Sequence, residues 1–465
     1  MPQAVPPRSN VATRDTWATE SMFASIESWE EAYARAEREL REIGKFRGRL
    51  GDGAGVLLEW FEQSQRLQNF VALIYVYAHL TYDVDMSNPV SQALDDRGST
   101  LYAECAAALS FGEPEILKLD PDTLHKWLDE NEQLRTYAHF IDVLEARRSH
   151  VRNDEVEKLL GLIQEPFSSA EATHGILVDS DLSFQPARTL QGQDVQIAQG
   201  NFHALLDSDD REVRRTAWEN YSDAHLAVQN TLANVVATGV KHHVFMAKAR
   251  NYRSSLDASL TSEHIPRAVY DNLIATFQAN LSTWHRYWRV RREALGYDRL
   301  HVYDIWAPLK GNPPQISYTE AVDLIAAGMQ PMGAEYVQTL RRGTLEERWV
   351  DIYPNQHKSS GAYSAGVSGT NPFILMSYGN GLPDVSTLAH ELGHSLHSYN
   401  AWKTQPYIYS EYGTFLAEVA SNFNQALVRR HLAHSNPDPN FQIALLEEAM
   451  ANFHRYFFIM PTLAR

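Results

Sequence analysis

Apolar residues recur at steps of three and four along most of this chain, the spacing of one buried face of an α-helix. Three long stretches follow it, covering residues 28–44, 57–82 and 266–288. The capping-box sequence from Ser28 to Glu31 predicts the start of the first helix, and Gly44 predicts its end. Ser317 with Glu320 is a second capping box. Because this periodicity dominates the sequence, we predict a mainly α-helical protein.

The pattern changes between residues 349 and 378, where short β-prone runs alternate with glycine and proline. We predict strands at residues 349–353, 363–367 and 373–378, since such punctuation is typical of a small sheet. Helix resumes from about Asp384. The predicted fold is therefore mainly α, with one small β-sheet just before residue 384.

The amino-acid composition excludes several kinds of partner and site. The chain has 465 residues, with 41 Lys+Arg against 58 Asp+Glu and a net charge of −17. This acidic balance argues against a nucleic acid or an anionic membrane as the main partner. Cys105 is the single cysteine, which excludes an internal disulfide framework and a cysteine-rich metal cluster.

The first 16 residues are polar and contain three prolines, so they do not resemble a secretory signal. No apolar run approaches the roughly 18–20 residues that a membrane-spanning helix requires. The default expectation is a soluble cytoplasmic protein that does not enter a membrane.

The stretch from His390 to His394 reads H-E-L-G-H. Two histidines four residues apart on a helix lie on the same face, one turn apart, and can share a Zn²⁺ ion at ~2.0–2.1 Å. Glu391 would lie beside the metal and could accept a proton from water. The motif should arise by chance only about 0.05 times in a chain of this composition. The competing interpretation is a solvated helix face with incidental histidines.

A third ligand has to come from elsewhere. His397 would lie ~10.5 Å along the helix axis from His390, which is too far to share one ion. Glu418 lies in the apolar stretch F-L-A-E-V-A-S, where a buried carboxylate would be unfavourable without a partner such as a metal. The alternative for Glu418 is an ordinary salt-bridged helix residue.

These motifs carry a family resemblance. The stretches H-E-L-G-H-S-L-H-S-Y (390–399), Q-P-Y-I-Y (405–409) and F-L-A-E-V-A-S (415–421) resemble oligoendopeptidase F of the thimet oligopeptidase-like zinc peptidases. Upstream, G-A-Y-S-A-G (361–366) and P-F-I-L-M-S (372–377) resemble that family's substrate-channel strands. The resemblance implies a mostly helical peptidase that surrounds a deep substrate channel. It also implies that this peptidase cleaves internal bonds of short peptides.

The resemblance also implies residue roles. His390, His394 and Glu418 would hold one Zn²⁺ per chain, and Glu391 would be the general base and proton shuttle. Further contacts with the ligands are expected from Asp384, Ser421 and Asn422. Candidate substrate-binding residues are Tyr363, Ser364, Gly366, His397 and Tyr409.

Each of these secondary roles has an alternative. Residues 362–366 could pair with substrate backbone by strand addition or form a plain structural hairpin. His397 could contact substrate or serve packing. The tyrosines 407, 409 and 412 could touch substrate, although core or surface packing is the commoner role.

Two departures from the family stand out. Gln425 stands where relatives commonly carry an acidic residue, and its amide is expected to weaken a contact near the metal. Relatives also usually continue for about another hundred residues, in which tyrosine and histidine donors stabilise the oxyanion. Losing one such donor typically lowers the rate by ~10²–10³. The corresponding segment could be supplied by another chain.

We predict three regions: an N-terminal helical region (1–104), a helical lobe of the oligopeptidase F type (105–185) and the zinc peptidase catalytic region (186–465). The leading function is zinc-dependent endopeptidase. The alternatives are a related zinc carboxypeptidase, a metal-binding peptide-binding protein or inactive fragment, and a helical protein that binds no metal.

Overall fold

The computed structural model describes residues 6–198, 201–309 and 314–465. Helices dominate it, as the periodicity predicts. In chain order they are α1 (Ile26–Ile43), α2 (Ala54–Asp83), α3 (Pro89–Leu109), α4 (Gly112–Ile116), α5 (Pro121–Glu130), α6 (Glu132–Arg135), α7 (Ala138–Ala146), α8 (Asp154–Leu162), α9 (Gln164–Gly175), α10 (Phe202–Leu206), α11 (Arg211–Ala227), α12 (Gln229–Ala249), α13 (Ser255–Ser262), α14 (Arg267–Ala279), α15 (Leu281–Ala294), α16 (Tyr318–Gly328), α17 (Ala334–Leu345), α18 (Leu382–Thr404), α19 (Thr414–Ser435), α20 (Pro439–His454) and α21 (Met460–Ala464).

Five short strands accompany the helices in the described residues. They are β1 (Ala187–Arg188), β2 (Asp194–Val195), β3 (Val350–Asp351), β4 (Tyr363–Ala365) and β5 (Phe373–Leu375). The strands β3, β4 and β5 form the predicted sheet, although each is shorter than the sequence suggests. The fold class is therefore confirmed as mainly α with small β elements.

The chain divides into two compact units. The first combines Met1–Gly161 with Gln315–Ser435, and the second combines Leu162–Pro314 with Asn436–Arg465. The three regions expected from the sequence, with limits at 104 and 185, stay a prediction, as does the deep substrate channel.

The core of the first unit is built on α1, α2 and α3. Trp29 is completely buried, and its indole N–H donates to the Ile74 carbonyl at 2.9 Å. Gly98 of α3 faces α2, and a Cβ there would lie 3.3 Å from the Tyr75 Cα. The glycine therefore permits the close approach of these two long helices.

One predicted helix start is wrong. The N-cap of helix α1 is Ser25, three residues before Ser28, and the two serines share a reciprocal capping box. Two small hydroxyl side chains thus satisfy the free backbone N–H groups without Glu31. At α16 the predicted cap is present, since the Ser317 hydroxyl accepts from the Glu320 N–H.

The three-stranded sheet has the order β3-β5-β4, with β3 parallel and β4 antiparallel to β5. Strand β5 is central and completely buried, whereas β4 pairs on one side and lies at the edge. The N-terminal segment packs on this sheet. The Arg8 guanidinium makes two hydrogen bonds to the Asp351 carboxylate, and the Trp17 ring meets Phe373 edge-on at 6.2 Å.

The second unit contains a buried ion cluster. The Asp304 carboxylate has no solvent exposure and accepts hydrogen bonds from the guanidinium groups of Arg211 and Arg214. It also accepts from the His301 backbone N–H. These contacts replace the hydration that the carboxylate loses on burial.

Among the described helices, none combines the length and the apolar composition needed to cross a membrane.

Candidate metal centre

Helix α18 carries the H-E-L-G-H motif. It begins after Gly381, whose N–H donates to the Asp384 carboxylate at 2.8 Å. Asp384 therefore closes the start of its own helix, two turns before His390. Its expected contact with a metal ligand stays a prediction.

The three predicted ligands come together. The Nε2 atoms of His390 and His394 lie 3.2 Å apart on one face of α18. Glu418 reaches them from α19, with one carboxylate oxygen 3.4 Å from His390 Nε2 and the other 4.0 Å from His394 Nε2. The ligand atoms of all three residues lie within 4.8 Å of one another.

This donor set fits a zinc ion. Four ligands at ~2.0–2.1 Å in tetrahedral geometry lie about 3.3 Å from one another. The His390–His394 and His390–Glu418 pairs, at 3.2 and 3.4 Å, match this spacing, whereas the His394–Glu418 pair is longer at 4.0 Å. Two imidazole nitrogens and a carboxylate are also ligand types that zinc accepts.

Helix α19 is close to α18 because of a glycine within the motif. A Cβ at Gly393 would lie 2.6 Å from the Ser421 Cα and 2.8 Å from the Ala420 carbonyl oxygen, both backbone atoms of α19. No larger side chain fits without moving the helix. Gly393 thus determines how near Glu418 comes to the histidines.

Glu418 differs from its expected environment. Its side chain is 44% exposed, and the neighbouring apolar residues Phe415, Leu416 and Val419 are each more than half exposed. Glu418 is therefore not a buried carboxylate, and the expectation that burial forces a metal partner on it is wrong. Its position beside the two histidines is what makes it a candidate ligand.

Two predicted neighbours of the ligands contact Glu418. The Ser421 hydroxyl donates to the Glu418 carboxylate at 2.9 Å, and the Asn422 amide reaches the same oxygen at 3.3 Å. Asn422 also donates to the Glu418 backbone carbonyl at 2.8 Å. These bonds orient one carboxylate oxygen of Glu418.

Gln425 contacts the candidate ligand His390. Its amide nitrogen donates to the Ser386 carbonyl, so its amide oxygen faces His390 Nδ1 at 3.1 Å. A carbonyl oxygen only accepts, which places the imidazole proton on Nδ1 and leaves the Nε2 lone pair for a metal. The amide thus supplies the contact that we expected it to weaken.

Glu391 is buried, with 6% of its surface exposed. Burial, reinforced by the negative charge of Glu418, raises the pKa of Glu391 to about 8. A carboxyl group whose pKa lies near neutrality can both accept and release a proton during catalysis.

Strand β4 lies beside α18. The hydroxyls of Ser364 and Ser395 are 2.7 Å apart, and Ser395 directly follows His394. The Tyr363 hydroxyl instead donates to Asp83 of α2 at 2.7 Å. A Cβ at Gly366 would lie 2.6 Å from the Trp402 ring, so this position accepts only glycine without a rearrangement.

The remaining candidates are engaged within the protein. His397 stacks on Tyr412 at 3.9 Å, and its buried Nδ1 has no hydrogen-bond partner among the described residues. The Tyr409 hydroxyl accepts from the Phe140 N–H and donates to the Thr136 carbonyl, which anchors it to the start of α7. The substrate contacts expected of His397 and Tyr409 stay predictions.

Sequence reasoning missed Gly393, Ser395 and Asp83. A glycine inside an apolar helix is a detectable signal of close packing. Ser395 and Asp83 carry no local signal, since their partners lie 31 and 280 residues away.

Comparison with known proteins identifies the family of the chain. A family profile described as Peptidase family M3 matches residues 204–462, and one described as Oligopeptidase F matches residues 115–184. Oligopeptidase PepF of Bacillus subtilis is 36% identical over 450 residues, 97% of this chain and 67% of that protein. Group B oligopeptidase PepB of Streptococcus agalactiae is 33% identical over 446 residues, 96% of this chain and 74% of that protein.

Solved structures show the same fold. The crystal structure of oligoendopeptidase-F from Enterococcus faecium matches with a TM-score of 0.70 and 30% sequence identity. The match covers 94% of this chain and 73% of that one. The expected family and the expected enzyme class, a metalloendopeptidase, are thereby confirmed. The chain belongs to Peptidase family M3.

Proposed function

We propose that this M3 peptidase is a zinc-dependent endopeptidase that hydrolyses internal bonds of short peptides. The observation that carries the proposal is the convergence of His390, His394 and Glu418 within 4.8 Å, with Glu391 buried beside them. Three protein ligands leave one coordination position open, which is the arrangement of catalytic rather than structural zinc sites.

His390, His394 and Glu418 would hold one zinc ion per chain. When bound, the ion supplies Lewis acidity toward the scissile carbonyl and toward water. Gln425 keeps the His390 proton on Nδ1, and Ser421 and Asn422 hold Glu418, so the ligands are oriented in advance.

Glu391 is the proton carrier. Its carboxylate accepts the proton that the attacking water loses as the oxygen joins the carbonyl carbon. It then delivers this proton to the amide nitrogen, which leaves as an amine when the C–N bond breaks.

Strand β4 is the proposed docking edge for substrate. Since β4 pairs with β5 on one side, an extended peptide can add along the other side through backbone hydrogen bonds. Tyr363, Ser364 and Gly366 lie on this strand or directly after it. Because Ser364 contacts Ser395, the added peptide would lie beside the helix that carries the metal ligands.

The test is cleavage of a quenched fluorescent peptide blocked at both ends, with zinc measured by metal analysis. We expect stoichiometric zinc, cleavage that a chelator abolishes, and a loss of about 10²–10⁴ in kcat/KM for Glu391→Gln with zinc retained. Zinc without cleavage would favour the peptide-binding alternative. Cleavage only of peptides with a free C-terminus would favour the carboxypeptidase.

The cytoplasmic location and the supply of a further segment by another chain stay predictions. Cell fractionation with an antibody to the chain tests the first, and the mass of the native assembly tests the second.

A further inference from the structure

Four titratable side chains form a line from helix α3 to strand β4. Asp95 of α3 lies 3.1 Å from His79 Nδ1, and His79 Nε2 lies 3.6 Å from the Asp83 carboxylate. The same Asp83 oxygen accepts the Tyr363 hydroxyl at 2.7 Å. Strand β4 is therefore tied to helices α2 and α3 through His79.

Asp83 depends on His79 for its charge balance. It is 6% exposed, so its ionised form requires a compensating partner. In the part of the chain that the structure describes, His79 is the one basic side chain within 4.0 Å of this carboxylate. An uncompensated buried carboxylate is unfavourable and would shift its position.

His79 can serve both carboxylates only when it is doubly protonated. A neutral imidazole has one donor nitrogen and one acceptor nitrogen, so one aspartate would then face a lone pair. The hydrogen bond to Asp95 raises the pKa of His79, the charges of Asp83 and Asp95 act in the same direction, and burial opposes them.

Other titratable groups surround this line. Tyr75 stacks on the His79 ring at 5.6 Å and is itself packed on Tyr102. Tyr75, Tyr82 and Asp351 interact with members of the line. Asp96 and Tyr102 of α3 lie further out, where Asp96 acts on Tyr82 and Tyr102 acts on Tyr75. None of these groups is basic, so they do not replace the positive charge of His79.

Strand β4 has two side-chain anchors on opposite faces. Tyr363 binds Asp83 on the α2 side, and Ser364 meets Ser395 on the α18 side. Loss of the first anchor would leave the edge strand held by β5 pairing, by Ser364 and by the packing of Tyr363 near Trp17.

We propose that His79 is a positioning residue whose protonated form holds Asp83 and Tyr363 in place and so keeps β4 ready to receive a peptide. Peptide affinity consequently falls as His79 loses its proton. This inference rests on the proposed function, because it assigns a pH response to the docking edge of the same site.

The direction in which peptide affinity changes with pH follows from the two protonation states of His79. Below its folded pKa, His79 bridges both aspartates and β4 is anchored. As the pH rises through that value, which lies above the ordinary 6.5, the bridge to Asp83 is lost. Peptide binding should therefore weaken on the alkaline side.

The experiment measures the Kd of a fluorescently labelled, end-blocked peptide for the Glu391→Gln chain from pH 5.5 to 8.5, with zinc content determined at each pH. We expect the Kd to rise about fivefold or more across the transition. Adding Asp95→Asn should move the midpoint about one pH unit lower, since it removes a charge that favours imidazolium. His79→Gln should bind weakly and without the transition.

Asp96→Asn is the matched control, because it removes the same charge one residue away from an exposed position. Asp96→Asn should leave the pH midpoint of the Kd transition unchanged. A midpoint that does not respond to Asp95→Asn at constant zinc content, or no peptide binding at any pH, would overturn the inference.

Cleavage by the unsubstituted chain is measured in parallel. If the unsubstituted chain cleaves the peptide but Asp95→Asn does not move the midpoint of the pH dependence of Kd, the role of His79 is overturned and the proposed function stands. If Asp95→Asn moves the midpoint but the zinc-loaded chain cleaves no peptide, the role of His79 is supported and the proposed endopeptidase function is overturned.

Discussion

Two carboxylate clusters in this molecule contrast in how their charge is balanced. In the second unit, Asp304 has two arginine guanidinium groups and a backbone N–H around it. Burial opposes ionisation there, but the Arg211, His301 and Arg214 hydrogen bonds lower the pKa of Asp304. At the metal centre, Glu418 faces histidine nitrogens, and burial together with the charge of Glu418 raises the pKa of Glu391 to about 8.

The contrast separates a carboxylate that the chain itself neutralises from carboxylates that it does not. Asp304 has its counter-charges in the chain and needs nothing else. The metal centre has ligand atoms 3.2–4.0 Å apart and no Lys or Arg ion pair among the described residues. A bound cation would supply the missing charge there, so removing a carboxylate should have opposite consequences at the two sites.

The largest effect is expected at the metal centre. Glu418→Gln should weaken zinc binding by more than about 10³-fold and lower kcat/KM in parallel, since one of three ligands loses its charge. The metal-free chain should keep or gain stability, because the variant removes a negative charge that lies near Glu391. Zinc titration and thermal unfolding measure the two results.

Exposed Glu346→Gln is the charge-matched control and should change neither quantity. A normal zinc affinity in Glu418→Gln would show that Glu418 is not a ligand and would remove the basis of the contrast.

At the structural cluster we expect the reverse. Asp304→Asn should lower the free energy of unfolding by about 3–5 kcal/mol, because it leaves the buried Arg214 guanidinium, 1% exposed, without its counter-charge. Zinc affinity of the folded variant should be unchanged. Exposed Asp298→Asn should alter stability by less than about 0.5 kcal/mol.

The pH dependence of the stability difference provides a further test of this prediction. Because the pKa of Asp304 is lowered, its stabilisation is present above the ordinary carboxyl value and is lost as the pH falls through the folded value. The stability gap between the unsubstituted chain and Asp304→Asn should therefore narrow below about pH 4. A gap that is constant down to pH 2.5 would assign the loss to packing.

A smaller effect is expected at Gln425, which orients His390. Gln425→Leu should reduce zinc affinity about 10–100-fold, since the Nδ1 proton loses its acceptor. Gln425→Glu keeps an acceptor and should bind zinc at least as well as the unsubstituted chain. Equal affinities in the leucine and glutamate variants would mean that the 3.1 Å contact has no role in metal binding.

The smallest effect is expected at Gly393. Gly393→Ala introduces a Cβ 2.6 Å from the Ser421 Cα, and such overpacking typically costs about 1–3 kcal/mol. Zinc affinity should fall about tenfold if α19 moves. Gly239→Ala is the control, because nothing lies within 4 Å of its Cβ, and it should stabilise α12 by up to about 1 kcal/mol.

The sequence by itself determined the local features. A spacing of four residues places His390 and His394 on one helix face whatever the rest of the chain does, because 3.6 residues make one turn. The long helix predicted at 57–82 forms at Ala54–Asp83 for the same reason. The sequence does not determine the helix start in the same way, because several neighbouring hydroxyls can cap the same turn, as Ser25 does at α1.

Tertiary structure decided the contacts between elements. Gln425 reaches His390 across 35 residues, and Tyr363 reaches Asp83 across 280. Such pairs leave no periodic trace in the sequence, since they depend on how closely two elements pack. Gly393 illustrates the physical reason: a missing side chain in one helix brings the backbone of another near enough for Glu418 to join the histidines.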